Sequence, residues 1–338
     1  MSSPKVSSPK VFIDGEAGTT VLQIYQRLAK RTDIEVISID PAKRKDAEER
    51  AKMINAADVA ILCLPDEAAR EAVSWVNNDT TKVLDASTAH RTAKDWVYGF
   101  PELAPDQRQK IAETRRVSNP GCYPTGFLAA LAPLTHAGVL PANIPATVNA
   151  ISGYSGGGKK MIAQFESFRN EGFQNKDIQA QNPKSAESKE PYSPYGLKFG
   201  HKHVKEMQLY SGLQHAPLFV PAVGDFVQGM VVQVPLPLWT LEKPPTGAQL
   251  HSTLQQHYTN EPFVQVMPYQ DASTLRDGNF LAAKTAVNTN EVQLFVFAND
   301  DTQEALRVAR LDNLGKGASG AAVQNLNIML GLPEKAGL

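Results

Sequence analysis

The chain has 338 residues, 42% hydrophobic and 20% charged, enough for two domains with cores of their own. Its 34 Lys and Arg nearly balance 35 Asp and Glu; a net charge of −1 leaves no global positive field and argues against a nucleic-acid binder driven by phosphate contacts. Two cysteines, Cys63 and Cys122, exclude a disulfide framework and a cysteine metal cage.

No apolar run is long enough to cross a membrane, and Met1 to Lys10 lacks the apolar core of a secretory signal. A soluble cytoplasmic protein is expected. Ser-Ser-Pro-Lys-Val occurs twice, at 2–6 and 7–11, and the first copy reads as a disordered tail or a start-site artefact.

Lys10-Val11-Phe12-Ile13-Asp14 is a short apolar strand running into Gly15-Glu16-Ala17-Gly18-Thr19-Thr20. Val21, Ile24, Tyr25 and Leu28 then recur at helical spacing. Strand, glycine turn and helix open a dinucleotide-binding βαβ unit, although an ordinary βα turn shares the pattern. Gly15 permits the sharp turn, and Gly18 lets a pyrophosphate approach backbone N–H groups. The third glycine of that pattern is replaced by Val21, which predicts looser packing of helix on strand.

Glu35 to Asp40 reads as the second strand, with an acid placed to take a ribose hydroxyl. Ser38 and the cations Lys43, Arg44 and Lys45 favour a 2′-phosphate and so NADP over NAD; a solvated basic helix start has the same composition. Val59 to Leu64 reads as a strand buried on both faces, with Cys63 as core. Asp66 to Val76 follows as a helix, and Val83 to Ser87 as another strand. Ser87, His90 and Arg91 lie beyond its carboxyl end, where open α/β sheets gather ligands. Arg116-Val117-Ser118 adds one more strand, so the alternation to this point predicts a doubly wound, mostly parallel sheet.

That strand leads to Ser118-Asn119-Pro120-Gly121-Cys122-Tyr123-Pro124-Thr125-Gly126 and a helix-forming apolar run. Pro124 suits a first helical turn, which places Cys122 just ahead of a helix N-terminus, where free N–H groups favour a nucleophilic thiolate. A buried structural cysteine is the plain alternative. Thr147 to Ile151 is a strand followed by Ser152 to Lys160, a flexible anion-cradling glycine loop without P-loop spacing. Residues 171–200 are polar and proline-punctuated, as in a binding segment.

His201 and His203 do not share a helical face, but can share one at a loop-to-helix junction. One imidazole near a reactive thiol is a general acid/base; no metal is expected, because a zinc site needs more ligands at other spacings. Strands around 218–220, 229–234, 263–266 and 292–297, with a helix at 246–258, predict an α+β domain with a mixed or antiparallel sheet. Asp312 to Asn327 is a small-residue turn running into a final helix.

With these motifs in order, the sequence resembles the N-acetyl-γ-glutamyl-phosphate reductases of arginine biosynthesis, in their shorter, second type. The resemblance runs from Lys10 onward and rests on Phe12–Thr20, Asn119–Gly126, His201–Glu206 and Lys316–Gly320. It implies a Rossmann-like NADP-binding domain over 8–120, an α+β catalytic and oligomerisation domain over 121–312, and a C-terminal helix, 313–338, returning to the first domain. It also implies Cys122 as nucleophile and His201 as its proton partner, with Tyr195, His203 and Glu206 lining the same site. Gly15, Ala17, Gly18, Thr19 and Thr20 match the cofactor-phosphate turn, Ser38 and Arg44 the NADP side, and the Gly153 to Lys159 loop a region near substrate and nicotinamide. Ser87, Gly157, Gly317 and Gly320 are further cofactor candidates, and Arg91 and Lys159 are candidates for the substrate's phosphate or carboxylate.

The expectation is an NADP(H)-dependent oxidoreductase for a small acyl phosphate, a homo-oligomer, dimer or tetramer. A reductase of another acyl phosphate, such as β-aspartyl phosphate, and a non-catalytic NADP-binding sensor are the alternatives. An intact Cys122–His201 pair speaks against the sensor.

Overall fold

The computed structural model of the chain describes residues 8–15, 18–171 and 191–338. Its strands are β1 (Lys10–Asp14), β2 (Glu35–Ile37), β3 (Val59–Leu62), β4 (Lys82–Asp85), β5 (Val97–Tyr98), β6 (Arg116–Ser118), β7 (Thr147–Gly153), β8 (Tyr192–Pro194), β9 (Leu218–Gly224), β10 (Met230–Pro237), β11 (Val264–Val266), β12 (Val292–Asn299) and β13 (Glu304–Leu311). Its α-helices are α1 (Thr19–Leu28), α2 (Ala47–Ala56), α3 (Asp66–Ser74), α4 (Gln107–Glu113), α5 (Cys122–His136), α6 (Gly158–Glu171), α7 (Val204–Ser211), α8 (Gly247–His257) and α9 (Gly320–Leu330). Contacts divide the chain into two units, Met1–Gly121 with Ala318–Leu338, and Cys122–Gly317.

Among the described residues the first unit's sheet has six strands in the order β2-β1-β3-β4-β6-β5, all parallel. Parallel neighbours need crossovers, which the intervening helices supply. β3 is buried along its whole length, as a strand covered on both faces should be. It ends at Leu62, so Cys63 lies just beyond the strand and is half-buried, not inside the core as its apolar run predicts.

Val21 is a second correction. Instead of loosening α1, it is 3% exposed and packs in one cluster with Ile24 and Leu28 and with Ala322, Val323 and Leu326 of α9. A branched side chain fills space that glycine would leave. α9 carries polar residues into this core, and each has a partner. Asn325 Nδ2 donates to the Gly99 carbonyl at 2.8 Å, Gln324 Nε2 to Glu102 Oε1 at 2.8 Å, and Asn327 Nδ2 to the Ala336 carbonyl at 2.9 Å. Gly99 is glycine for this reason: a Cβ there would stand 2.5 Å from Asn325 Nδ2.

The second unit's sheet, again among the described residues, runs β11-β12-β13-β10-β7-β9-β8. It is mixed: β7–β9 and β11–β12 are parallel pairs and the other neighbours antiparallel. α5 packs on β10 and β13, flanked by α7 and α8. Every residue of α5 from Tyr123 to Leu134 is buried, so the helix has no solvent face. Gly126 sets its closest approach, since a Cβ there would lie 2.8 Å from Val232 Cγ2.

Pro133 stands inside α5 and cannot donate to the carbonyl four residues back, that of Ala129. Tyr258, just past α8, supplies the missing donor: its hydroxyl bonds Ala129 O at 2.9 Å. The opposite face of the sheet carries Val231, Phe295 and Val308, with Phe297 and Leu306 beside them. It forms a groove of about 770 Å³.

The bond to Ala129 generates a test. Tyr258→Phe keeps the ring and leaves a buried carbonyl unsatisfied, so urea unfolding should show a loss of about 1–3 kcal/mol. A midpoint unchanged from wild type would mean that Pro133 needs no such compensation.

Candidate active site

Cys122 is the first residue of α5, one position further into the helix than the proline pattern predicts. Its sulfur therefore stands at the helix's first turn, at the positive end of the helix dipole. The cysteine is half-buried. Gly317 closes one side of it, because a Cβ there would lie 2.8 Å from Cys122 Cβ. Cys63 has the opposite environment. Burial, then the charges of Asp85 and Asp14, push its thiol up to about 12, so it stays protonated at neutral pH.

The residue after the nucleophile candidate builds the rest of the site. The Tyr123 hydroxyl donates to the Ala222 carbonyl at 3.1 Å and accepts from the Tyr195 hydroxyl at 3.3 Å. Burial above all, with the Cys122 sulfur as a lesser cause, pushes Tyr195 up to about 12, so its hydroxyl remains a donor. The Tyr123 ring stands nearly perpendicular to His201, at 6.4 Å between centroids. Phe219 at 5.2 Å, Tyr195 at 5.8 Å and His203 at 4.7 Å complete an aromatic box around His201.

This box lowers the His201 pKa by burial, and the charge of Lys202 lowers it further. The imidazole is thereby kept neutral and able to take a proton. His201 Nδ1 accepts from the His203 backbone N–H at 3.2 Å, which places the neutral ring's own proton on Nε2. His203 is the N-cap of α7, and Glu206 lies buried in that helix's first turn. The structure thus brings together Cys122, Tyr195, His201 and His203, and adds Tyr123 and Phe219. Tyr123 was visible beside the cysteine in the motif; Phe219 carried no signal beyond a β-strand pattern. No group of His, Cys, Asp and Glu suited to a metal occurs among the described residues.

The glycine loop is more ordered than its composition implies. Tyr154–Gly157 is a 3-10 turn that enters α6, with Gly157 and Lys159 exposed. Arg91 belongs to the first unit, where it is buried and donates to the Ala86 carbonyl at 3.3 Å.

In the first unit, the turn after β1 fits a dinucleotide phosphate. Gly18 caps α1 without a side-chain hydrogen bond, and no acid stands in the first turn, which leaves its N–H groups to an anion. A Cβ at Gly15 would lie 2.6 Å from the Cys63 carbonyl oxygen, so only glycine lets the strands' ends close here. Thr19 and Thr20 are half-buried in the first turn, and Ala17 lies outside the described residues.

Ser38 and Arg44 are exposed beyond β2, and Arg44 is near enough to act on the Tyr25 hydroxyl. Asp40 Oδ1 accepts from Ala42 N at 2.9 Å and so caps the following turn. Lys43 is paired with Glu49 at 3.0 Å. Ser87 donates to Asp85 Oδ2 at 2.7 Å, and the same oxygen holds His90 Nδ1 at 2.7 Å. Gly320 opens α9 in this unit, whereas Gly317 belongs to the other.

Residues 122–313 match the family described as semialdehyde dehydrogenase, dimerisation domain, and residues 1–111 its NAD binding domain. The chain is 63% identical to N-acetyl-gamma-glutamyl-phosphate reductase 2 of Nostoc sp., over 98% of this chain and 100% of that one. It is 52% identical to the N-acetyl-gamma-glutamyl-phosphate reductase of Brucella ovis, over 96% and 99%. In fold it is similar to the crystal structure of aspartate semialdehyde dehydrogenase II from Vibrio cholerae, with a TM-score of 0.69 at 15% identity over 96% and 99% of the two chains. The chain belongs to the semialdehyde dehydrogenase family, among its N-acetyl-gamma-glutamyl-phosphate reductases.

Proposed function

We propose that this chain reduces N-acetyl-γ-glutamyl phosphate to N-acetylglutamate 5-semialdehyde with release of phosphate, a step of arginine biosynthesis. The observation that carries the reading is that Cys122 opens a buried helix whose next residue, Tyr123, sets its ring against a boxed, neutral His201. Relatives of this length and identity bear the name of that reaction. The Cys122 thiolate attacks the acyl carbon, the carbon–oxygen bond to phosphate breaks, and a thioester remains on the sulfur.

His201 takes the thiol proton at Nδ1, the nitrogen with the lone pair, at the expense of the long bond from His203 N–H. N–H groups at the start of α5 hold the oxyanion. Bound NADPH supplies the hydride that reduces the thioester. As the carbon–sulfur bond then breaks, His201 returns the proton to sulfur. Tyr195, His203, Glu206 and Lys159 are assigned to the substrate, and so is Arg91, through its place beyond β4.

Gly15, Ala17, Gly18, Thr19 and Thr20 would hold the cofactor's pyrophosphate, and Ser38 and Arg44 its 2′-phosphate. Ser87, Gly157, Gly317 and Gly320 complete that assignment. The groove on the open sheet face, lined by Val231, Phe280, Phe297 and Leu306, is assigned to self-association of the second unit. No helix among the described residues is long and apolar enough to cross a membrane, and a phosphorylated metabolite as substrate fits the cytoplasm.

Cys122→Ser should lower turnover at least about a thousandfold while NADPH still binds, because a hydroxyl is far less ionised than a thiol. Iodoacetamide at neutral pH should label Cys122 and spare Cys63. Near wild-type turnover of the serine variant would defeat covalent catalysis at this position.

The pH profile tests His201. Its lowered pKa keeps the ring neutral below the ordinary histidine value of about 6.5. Activity should therefore persist below that pH and fall as pH drops through the lowered value. Lys202→Gln removes a like charge and should move this acid limb upward. A limb that stays put would assign it to another group.

Arg44→Ala should weaken NADPH binding and leave NADH nearly unchanged, read by fluorescence titration of each. Equal weakening of both would remove Arg44 from the 2′-phosphate.

A further inference from the structure

We infer that Asp312 and Asn313 are positioning residues for this reaction, fixing the backbone that walls Cys122; the inference rests on Cys122 being the nucleophile. Both follow β13, and both are buried, Asp312 completely. A buried carboxylate is costly unless hydrogen bonds satisfy it, so where its bonds go shows what it holds.

Asp312 Oδ2 accepts from Gln228 Nε2 at 2.6 Å and from Asn288 N at 2.8 Å, and Oδ1 accepts from Leu314 N at 2.9 Å. Its backbone carbonyl takes the Gly317 N–H at 2.9 Å. Gly317 is the residue whose bare Cα faces Cys122 Cβ. One residue thus ties the wall of the nucleophile to two distant loops.

Asn313 extends the tie. Its Oδ1 accepts from Gly229 N at 2.8 Å, and its Nδ2 donates to Ser155 Oγ at 3.0 Å. Ser155 lies in the Tyr154–Gly157 turn, which the 226–229 segment also holds through Gly153 N to Gly229 O and Ser155 N to Val227 O. Partners from around 155, 228–229 and 288 thus converge on two adjacent residues. The Tyr154–Gly157 turn and the wall of Cys122 are therefore held by the same pair of residues.

Neither oxygen of Asp312 is spare. An amide at this position must turn its NH2 toward either Leu314 N or the Gln228 and Asn288 donors, so Asp312→Asn loses at least one bond and sets donor against donor.

The test measures kcat and KM with N-acetyl-γ-glutamyl phosphate and NADPH, per molecule of Cys122 that iodoacetamide titrates in the folded protein. Asp312→Asn should lower kcat about tenfold to a hundredfold per titrated cysteine, as misplacement by about 1 Å does, with the KM for NADPH within about twofold. Gln228→Ala, half-buried and milder, should lower kcat by about threefold to tenfold, and it carries the test if the Asp312 variant does not fold. A purely structural role predicts less titratable Cys122 but an unchanged kcat per cysteine. That result overturns the inference. Full activity of Cys122→Ser would instead remove the reading on which it rests.

Discussion

A helix with no solvent face cannot slide or turn without opening a cavity or exposing apolar surface. α5 is such a helix, buried from Tyr123 to Leu134 against β10, β13, α7 and α8. Emptying one large core position costs about 2–5 kcal/mol, so small displacements along its length are strongly resisted. Cys122 occupies its N-terminus, at the first N–H groups and the positive end of the dipole. Core packing thus does the work of placing the sulfur. The same burial forbids any loose backbone polar group, which is why Pro133 comes with the Tyr258 hydroxyl on the Ala129 carbonyl.

The two cysteines show how far environment outweighs side-chain identity. Cys63 stands beyond β3, half-buried and near two carboxylates, and its thiol is pushed up to about 12. Cys122 stands where N–H groups point outward. The same contrast governs the histidine. His201 is held neutral by burial among Tyr123, Phe219 and Tyr195 and by the charge of Lys202 beside it. A solvent-exposed histidine would spend more of its time protonated as pH falls below neutral.

The parallel sheet, the mixed sheet and the turn into α5 were legible in the sequence because each rests on local pattern. Buried runs such as Val59–Leu62 and glycine turns carry their own signal. The misreadings were tertiary. Val21 departs from a glycine motif, yet α9, which closes over it, comes from the far end of the chain. Phe219 is one apolar strand residue among many until β9 brings it beside His201. Arg307 defies any pattern: it sits in β13, fully buried, its guanidinium hydrogen-bonded to nothing among the described residues and its pKa pushed down to about 9.

Asp312 and Asn313 were just as hard to see, for a different reason. A polar pair after a strand reads as a loop, and loops are expected at the surface. What buries this one is the number of chain segments that converge on it. Where a site is walled by backbone instead of side chains, the wall must be made of glycine and held by hydrogen bonds. Gly153, Gly315 and Gly317 all show it, since a Cβ on each would stand under 3 Å from a neighbouring atom. Such a wall has no rotamers to adjust, so its precision depends wholly on the groups that receive its N–H bonds. A carboxylate and an amide with every polar atom committed are well suited to that task. On the role proposed for Asp312 and Asn313, the cysteine's chemistry depends on the residues that hold its backbone wall, and the small residues around it are a consequence of that arrangement.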